Sequence, residues 1–253
     1  MNNSHPFLSF FSHPKTVLSV SVHVISKVKY NLIVPPSMSI IQVAPALLFD
    51  SNIYLVVGTG KTVLIDAGTG FAVNSTIESI KKELAGRKLD IVILTHRHYD
   101  HVGGLRAIIK EFSPKLYAGP DDAEPLREGD SESTLGTKFG GSIDPMEITD
   151  FREGDRLDLG GHVLTPISTP GHTIGSICVL DETTGALFSG DTVFVDGVGN
   201  TMHPTGSEEK LIGSLKKLSK IQFEGLYPGH GPVVKNDGMR FVIRGLEQMG
   251  VKI

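Results

Sequence analysis

The chain has 253 residues, of which 40% are hydrophobic and 21% charged, and its formal net charge is −4 at pH 7. This balance is typical of a globular enzyme and argues against a basic nucleic-acid-binding surface, so we expect no nucleic-acid partner. No stretch approaches the roughly 18 uninterrupted apolar residues of a membrane-spanning helix, so we expect no membrane association. The single cysteine, Cys178, excludes a disulfide framework and favours a reducing, cytoplasmic location.

Residues 1–37 differ in pattern from the rest, and we predict an N-terminal extension followed by one catalytic domain at residues 38–253. The extension combines a short apolar cluster at residues 7–11 with the chain-breaking pair Pro35-Pro36. No Lys or Arg precedes the apolar cluster, whereas a secretory signal peptide would carry one there. We expect a poorly ordered or loosely docked extension; a cryptic export signal is the alternative.

The first predicted strands lie at residues 40–43, 53–57 and 62–65, and a Gly-Thr-Gly-Lys turn joins the last two. Asp66 ends the third strand. It is either a plain turn cap or a carboxylate that supports a site from behind. A helix is predicted next, capped by Asn74 or Ser75 and closed by Gly86.

The stretch 91–104 places three histidines and an aspartate within six residues, directly after an apolar run. Residues 91–94 predict a buried strand, and the residues after the turn predict a helix. Neutral imidazoles and carboxylates are ligands that suit zinc and similar divalent ions. We therefore predict that this turn binds metal and is not simply a polar loop. Its candidate ligands are His96, His98, Asp100 and His101.

Residues 120–150 are acidic, rich in glycine and irregular, so we predict an insertion or flap with one helix. A hairpin is expected at residues 156–167, and two further strands at residues 176–180 and 186–188. Ser207 is expected to cap a helix, residues 225–227 to form a last strand, and a final helix to begin near Asp237.

Three more metal-competent side chains follow apolar runs among glycine and proline: His172, Asp191 and His230. Each short motif alone is a weak signal, since such turns are common without a ligand. Loops at one edge of a sheet converge on functional sites, so several strand ends that carry ligands favour a shared metal site.

The run from His96 to His101 has the pattern HxHxDH and resembles the signature of the metallo-β-lactamase superfamily. His172, Asp191 and His230 match the later metal-binding motifs of that superfamily, in the same order. The resemblance covers residue 38 to the C-terminus. It implies an α+β fold, a four-layer αββα sandwich of two mixed sheets flanked by helices. It also implies two Zn²⁺ per chain, with iron or manganese as alternatives. The implied ligands are His96, His98 and His172 for the first ion, Asp100, His101 and His230 for the second, and Asp191 as the bridge.

The same resemblance implies roles for the surrounding residues. A hydroxide that bridges two cations about 3.5–4 Å apart would be the nucleophile, and Asp100 would be the catalytic residue that orients it. Asp66 matches the early strand-end aspartate of the family and would hydrogen-bond a metal ligand, fixing its orientation without contacting the ion. The candidate substrate contacts are His203, Lys210 and Tyr99.

Residues 187–194 resemble the glyoxalase II-like thioester hydrolases, so we expect hydrolysis of a small thioester or ester. Glyoxalase II continues into a helical domain that binds glutathione, whereas only residues 232–253 follow Gly231 here, so glutathione is not expected. The alternatives are a phosphodiesterase or RNase Z-like nuclease, a lactonase with Tyr99 or Tyr54 in its pocket, and a persulfide dioxygenase with one iron. We expect a small-molecule substrate and a monomer or homodimer.

Overall fold

Two β-sheets lie face to face in the computed structural model, which describes residues 39–43 and 49–252. The expectation for residues 1–37 lies outside these described residues. The first sheet contains six strands in chain order: β1 (Ser39–Val43), β2 (Ile53–Val57), β3 (Thr62–Ile65), β4 (Ile91–Leu94), β5 (Lys115–Ala118) and β6 (Thr149–Asp150). The second contains five, here named in chain order: β7 (Leu157–Asp158), β8 (Val163–Ser168), β9 (Ile177–Asp181), β10 (Ala186–Gly190) and β11 (Gly225–Pro228).

Helices cover the outer face of each sheet. They are α1 (Val73–Leu84), α2 (Tyr99–Val102), α3 (Leu105–Phe112), α4 (Pro120–Glu128), α5 (Glu208–Leu218) and α6 (Met239–Gln248). A 3₁₀ turn lies at Gly136–Phe139. Among the described helices, none combines the length and the apolar character that crossing a membrane would require.

The alternation of side chains along β4 shows how the layers form. Ile91 and Ile93 point between the two sheets, whereas Val92 and Leu94 point to the helices of the first sheet, as the two-residue period of a strand requires. The second sheet repeats the arrangement, because Phe188 lies between the sheets and its neighbour Leu187 packs with α5 and α6. The predicted four-layer αββα sandwich is therefore confirmed.

Residues 120–150 are more deeply integrated than a flap would be, and this part of the sequence prediction was incomplete. The predicted helix is present as α4, but β6 also pairs in parallel with β5 and extends the first sheet. Leu126, Ile143 and Ile148 are buried in the outer core of that sheet. A few apolar residues spaced among many acidic ones are enough to attach the segment.

The strand directions explain where functional side chains converge. Strands β3 and β4 are parallel, so the residues that follow them lie at one edge of the first sheet. In the second sheet β10 and β11 are parallel, and β8 runs in the same direction because β9 is antiparallel to both β8 and β10. The carboxyl ends of these strands carry Asp66, the stretch 96–101, His172, Asp191 and His230.

Candidate metal centre

The turn after β4 buries its histidines at the edge of the sandwich. His96, His98 and His101 are each at most 3% exposed, and Asp100 is partly exposed. His96 and His98 lie between β4 and the short helix α2, with His98 extended at the helix N-cap, whereas Asp100 and His101 belong to α2. The change from extended chain to helix therefore separates the four side chains into two pairs.

The first ligand group consists of His96, His98 and His172. One nitrogen of each ring lies within 4.8 Å of the others, and the Nδ1 of His98 is 2.8 Å from the Nε2 of His172. The Nδ1 of His172 is 2.7 Å from the carbonyl oxygen of Asn200 and donates to it, since a carbonyl can only accept. The Nε2 of His172 therefore keeps its lone pair for the centre of the group.

The second ligand group consists of Asp100, His101 and His230, whose ligand atoms also lie within 4.8 Å of one another. The Nε2 of His230 is 3.0 Å from the Oδ2 of Asp100 and 3.4 Å from the Nε2 of His101. The three side chains thus face a common point from the helix α2 and from the loop after β11.

Asp191 lies between the two groups. Its Oδ1 is 3.2 Å from the Nε2 of His101, and its Oδ2 is 3.5 Å from the Nε2 of His172 and 3.7 Å from that of His230. It follows Gly190, where the pairing of β10 with β11 shifts register and the backbone adopts a φ of +48°. This irregularity, which glycine accommodates, ends the strand and redirects the chain at Asp191.

Burial keeps the first group neutral. Burial and then the neighbouring imidazoles lower the pKa of His96 well below 6.5, and they lower the pKa of His98 to about 2. Both rings are therefore unprotonated at neutral pH and keep lone pairs for a cation.

The second group and the bridge carry charge. Burial lowers the pKa of His101, but the nearby carboxylates, above all Asp66, outweigh it and raise this pKa well above 6.5. Burial alone would raise the pKa values of Asp100 and Asp191, yet the neighbouring histidines, above all His101, hold both below the usual carboxyl range. The ionised carboxylates attract cations, and an ion bound at His101 would take the place of its Nε2 proton.

The donor set fits a pair of divalent ions. The Nε2 of His96 is buried and makes no hydrogen bond to any described residue, and the buried Oδ1 of Asp191 lies 3.2 Å from the Nε2 of His101 without the geometry of a hydrogen bond. Buried polar atoms are nearly always paired, so unpaired ones need an explanation. Cations held by the two ligand groups would provide it, because each orphan atom belongs to a ligand set of imidazoles and carboxylates.

Asp66 supports this centre from behind, at the position that the sequence analysis left open. Its Oδ2 accepts hydrogen bonds from the Nδ1 of His101 and the Oγ1 of Thr95, both at 2.8 Å. Its Oδ1 accepts from the backbone N–H of Thr95 at 2.8 Å. These contacts connect the end of β3 to the beginning of the ligand turn.

Two residues hold the loop of His230, a role that the sequence analysis did not predict for either of them. Asn52 donates from its Nδ2 to the carbonyls of Pro228 and Gly231, both at 2.9 Å. Tyr54 donates its hydroxyl to the carbonyl of Pro228 at 2.7 Å. Because Tyr54 is buried between the sheets, it is not the exposed pocket tyrosine considered for a lactonase. No local motif marks this role, since the partners are more than 170 positions away.

The three candidate substrate contacts lie in different surroundings. The His203 ring centroid is 4.8 Å from that of His98 and 5.6 Å from that of His172, so His203 adjoins the first group. Lys210 is exposed on the first turn of α5. The ring of Tyr99 stacks on Phe139 with centroids 5.5 Å apart and belongs to the apolar core of the first sheet.

Comparison with known proteins gives consistent matches. Residues 47–230, which include every candidate metal ligand, match the family model described as metallo-beta-lactamase superfamily. A probable metallo-hydrolase from Methanocaldococcus jannaschii is 35% identical over 198 residues, covering 76% of this chain and 92% of that protein. A hydroxyacylglutathione hydrolase from Ruegeria pomeroyi is 31% identical over 176 residues, covering 69% of this chain but 59% of that enzyme.

A solved structure shares the architecture. TTHA1623, described in a di-iron-bound form, matches with a TM-score of 0.66 and 26% identity, covering 81% of this chain and 96% of that chain. The likeness therefore extends over most of both molecules.

Proposed function

Because the chain belongs to the metallo-β-lactamase superfamily, we propose that it is a hydrolase that uses two divalent ions to cleave a small thioester or ester. The observation that carries the proposal is the placement of Asp191 between two ligand groups, with its oxygens facing histidines of both. A carboxylate in that place suits a bridging ligand of a two-metal hydrolase. The likeness to hydroxyacylglutathione hydrolases supports an acyl substrate.

We propose that the first ligand group holds one ion and the second group holds the other. When bound, the ions would polarise the carbonyl oxygen of the substrate and lower the pKa of a water molecule so that it attacks at neutral pH. Zinc is the proposed metal because it is readily bound by imidazole and carboxylate ligands. Iron is the alternative, since TTHA1623 has a di-iron-bound form.

The side chains of the chain itself would orient the reaction. Asp100 is ionised and partly exposed, so it is the group proposed to position the attacking water. His203 is the proposed substrate contact, because its ring lies beside those of His98 and His172. Burial lowers the pKa of His203, so its neutral ring can donate a hydrogen bond to a substrate at neutral pH. A thiolate leaves without taking a proton, so a thioester needs no general acid from the protein.

The test combines metal analysis with a panel of substrates. The full chain is loaded with Zn²⁺, and hydrolysis is followed for an acyl thioester, an acyl ester, a lactone and a phosphodiester. We expect two ions per chain and the fastest turnover on the thioester or ester, lost on chelation and restored by metal. The His203→Gln variant should raise KM, whereas Lys216→Gln, a change of an exposed residue in the last turn of α5, serves as a control.

Two results would overturn the proposal. One is a single iron per chain together with oxygen consumption on a persulfide. The other is a phosphodiester cleaved faster than every acyl substrate, which would favour the nuclease alternative.

A further inference from the structure

Arg97 lies in sequence between two ligands of the first group, yet its side chain is directed at helix α4. Its backbone N–H donates to the Oδ2 of Asp122 at 2.9 Å, and its Nε donates to the Oδ1 at 2.7 Å. Its Nη2 donates to the carbonyl of Asp121 at 2.9 Å. The guanidinium is thereby held by the first turn of α4, in a pair that is almost entirely buried.

Asp122 binds a second segment as well. Its Oδ2 accepts a hydrogen bond from the Oγ1 of Thr173 at 2.6 Å, and its Oδ1 accepts from the backbone N–H of Gly175 at 3.1 Å. Thr173 directly follows His172. A single buried carboxylate therefore joins the two segments that carry all three ligands of the first group, with four hydrogen bonds that match its lone-pair sites.

The backbones at this junction are in close contact. A Cβ at Gly175 would overlap the backbone nitrogen of Asp122, and a Cβ at Gly119 would overlap the carbonyl oxygen of Gly175. The start of α4 thus docks against the His172 loop with no room for side chains. The carboxylate cannot shift without moving that loop.

We propose that Asp122, together with Arg97, is a positioning residue of the first metal site. By fixing the backbone at residues 97 and 175 and the side chain at residue 173, it sets the separation of His98 and His172. A ligand set that is already held in its binding geometry loses less conformational entropy when an ion enters. The inference rests on the ligand set proposed above, and it concerns affinity for the ion rather than contact with it.

The test is the Asp122→Asn variant of the full chain. Zn²⁺ affinities are measured by competition with a chromophoric chelator, and the thermal midpoint of the metal-free protein is measured in parallel. We expect the affinity for one of the two ions to fall about 10–100-fold, the range typical of residues that orient metal ligands. The affinity for the other ion should not change.

Asp181→Asn is the matched control. Asp181 is also fully buried and hydrogen-bonded to a histidine, His162, but it ends β9 at the opposite edge of the sheet from the ligands. This variant should lower the thermal midpoint and leave both Zn²⁺ affinities unchanged. Equal losses of affinity in Asp122→Asn and Asp181→Asn would show a merely structural effect and would overturn the inference.

Single-site backgrounds assign the affected ion. His230→Ala retains the first group, so adding Asp122→Asn to this variant should lower the affinity for the remaining ion. His172→Ala retains the second group, so adding Asp122→Asn there should leave the affinity for the remaining ion unchanged. If His230→Ala binds its remaining ion equally tightly with and without Asp122→Asn, the inference is overturned. Absence of hydrolysis by the wild type would instead overturn the proposed function, and the comparison of Zn²⁺ affinities between the variants would remain valid.

A milder variant covers the case in which Asp122→Asn fails to fold. Thr173→Val removes one hydroxyl donor to the carboxylate and keeps the shape of the side chain. It should lower the affinity for the first ion about fivefold, which is the effect of losing one hydrogen bond. Unchanged affinity in this variant would count against the inference.

Discussion

Asparagine at position 66 should weaken the second metal site while leaving the fold in place. The Asp66 carboxylate accepts a hydrogen bond from the Nδ1–H of His101, and in the metal-bound protein this contact would keep the Nε2 lone pair directed at the ion. Asparagine still offers an oxygen to the Thr95 amide, but its NH₂ group would then face the Nδ1–H of His101. Two donors cannot bond each other, so the ring must move its proton to Nε2 or rotate.

The size of the effect follows from burial and backbone conformation. Asp66 is 2% exposed and His101 0%, so water cannot relieve the donor pair. Loss of a residue that orients a metal-binding histidine lowers affinity about 10–100-fold, which equals about 1.4–2.7 kcal/mol. Asp66 has a φ of +62°, a left-handed conformation that asparagine tolerates. Alanine there would add roughly 1–2 kcal/mol of strain, so asparagine is the cleaner change.

The assay is a Zn²⁺ titration of the chelated full chain at near-neutral pH, with the unfolding midpoint of the metal-free protein as a control for folding. Asp66→Asn should bind the first ion as the wild type does and lose at least tenfold in affinity for the second. Two wild-type affinities, with the midpoint unchanged, would refute the reasoning that this carboxylate orients His101.

Three further outcomes are expected. Asp191→Ala should lose both ions and all hydrolysis together, because its oxygens face both ligand groups; full occupancy by elemental analysis would contradict the bridging role. Burial raises the pKa of Asp181, but its hydrogen bonds, above all that with His162, outweigh burial and hold the folded-state pKa below 3.8. Its stabilisation is therefore present above pH 3.8 and lost as pH falls through the folded pKa, so urea unfolding of Asp181→Asn should depend less steeply on pH in that acidic window; identical pH slopes would refute this. Deleting residues 1–37 should leave hydrolysis unchanged, because every proposed ligand lies between residues 66 and 230, and a loss of turnover would show that the extension matters.

The positions of most strands and the ligand-bearing strand ends could be predicted from short-range patterns, whereas the four-layer arrangement was implied by the family resemblance. Each predicted strand is an apolar run bounded by turn residues, and β4 shows how little ambiguity such a run leaves. Ser207 was expected to cap α5, and its hydroxyl does accept from the N–H of Lys210 at 3.3 Å. The ligands follow strand ends, and the strand directions seen in the structure bring them to one edge.

The contacts that hold the ligands could not be predicted in the same way. Asp122 appears in the sequence as one acid among many in residues 120–150, and its partners Arg97 and Thr173 are 25 and 51 positions away. The helix α1 was expected to be capped by Asn74 or Ser75 and closed by Gly86. It begins at Val73 without a side-chain cap and ends at Leu84, where Ala85 caps it in a left-handed conformation. Packing decides such details, and local sequence does not encode it.

The ligand atoms come from both halves of the sandwich, since the turn after β4 belongs to the first sheet and Asp191 and His230 follow strands of the second. An ion held between them would act as a cross-link between the sheets. At a hundred times its dissociation constant, each ion would oppose separation of the sheets by about 2.7 kcal/mol. Chelation should therefore accelerate amide hydrogen exchange most in β4 and β10, the strands that lead into the ligands, and less in the outer helices.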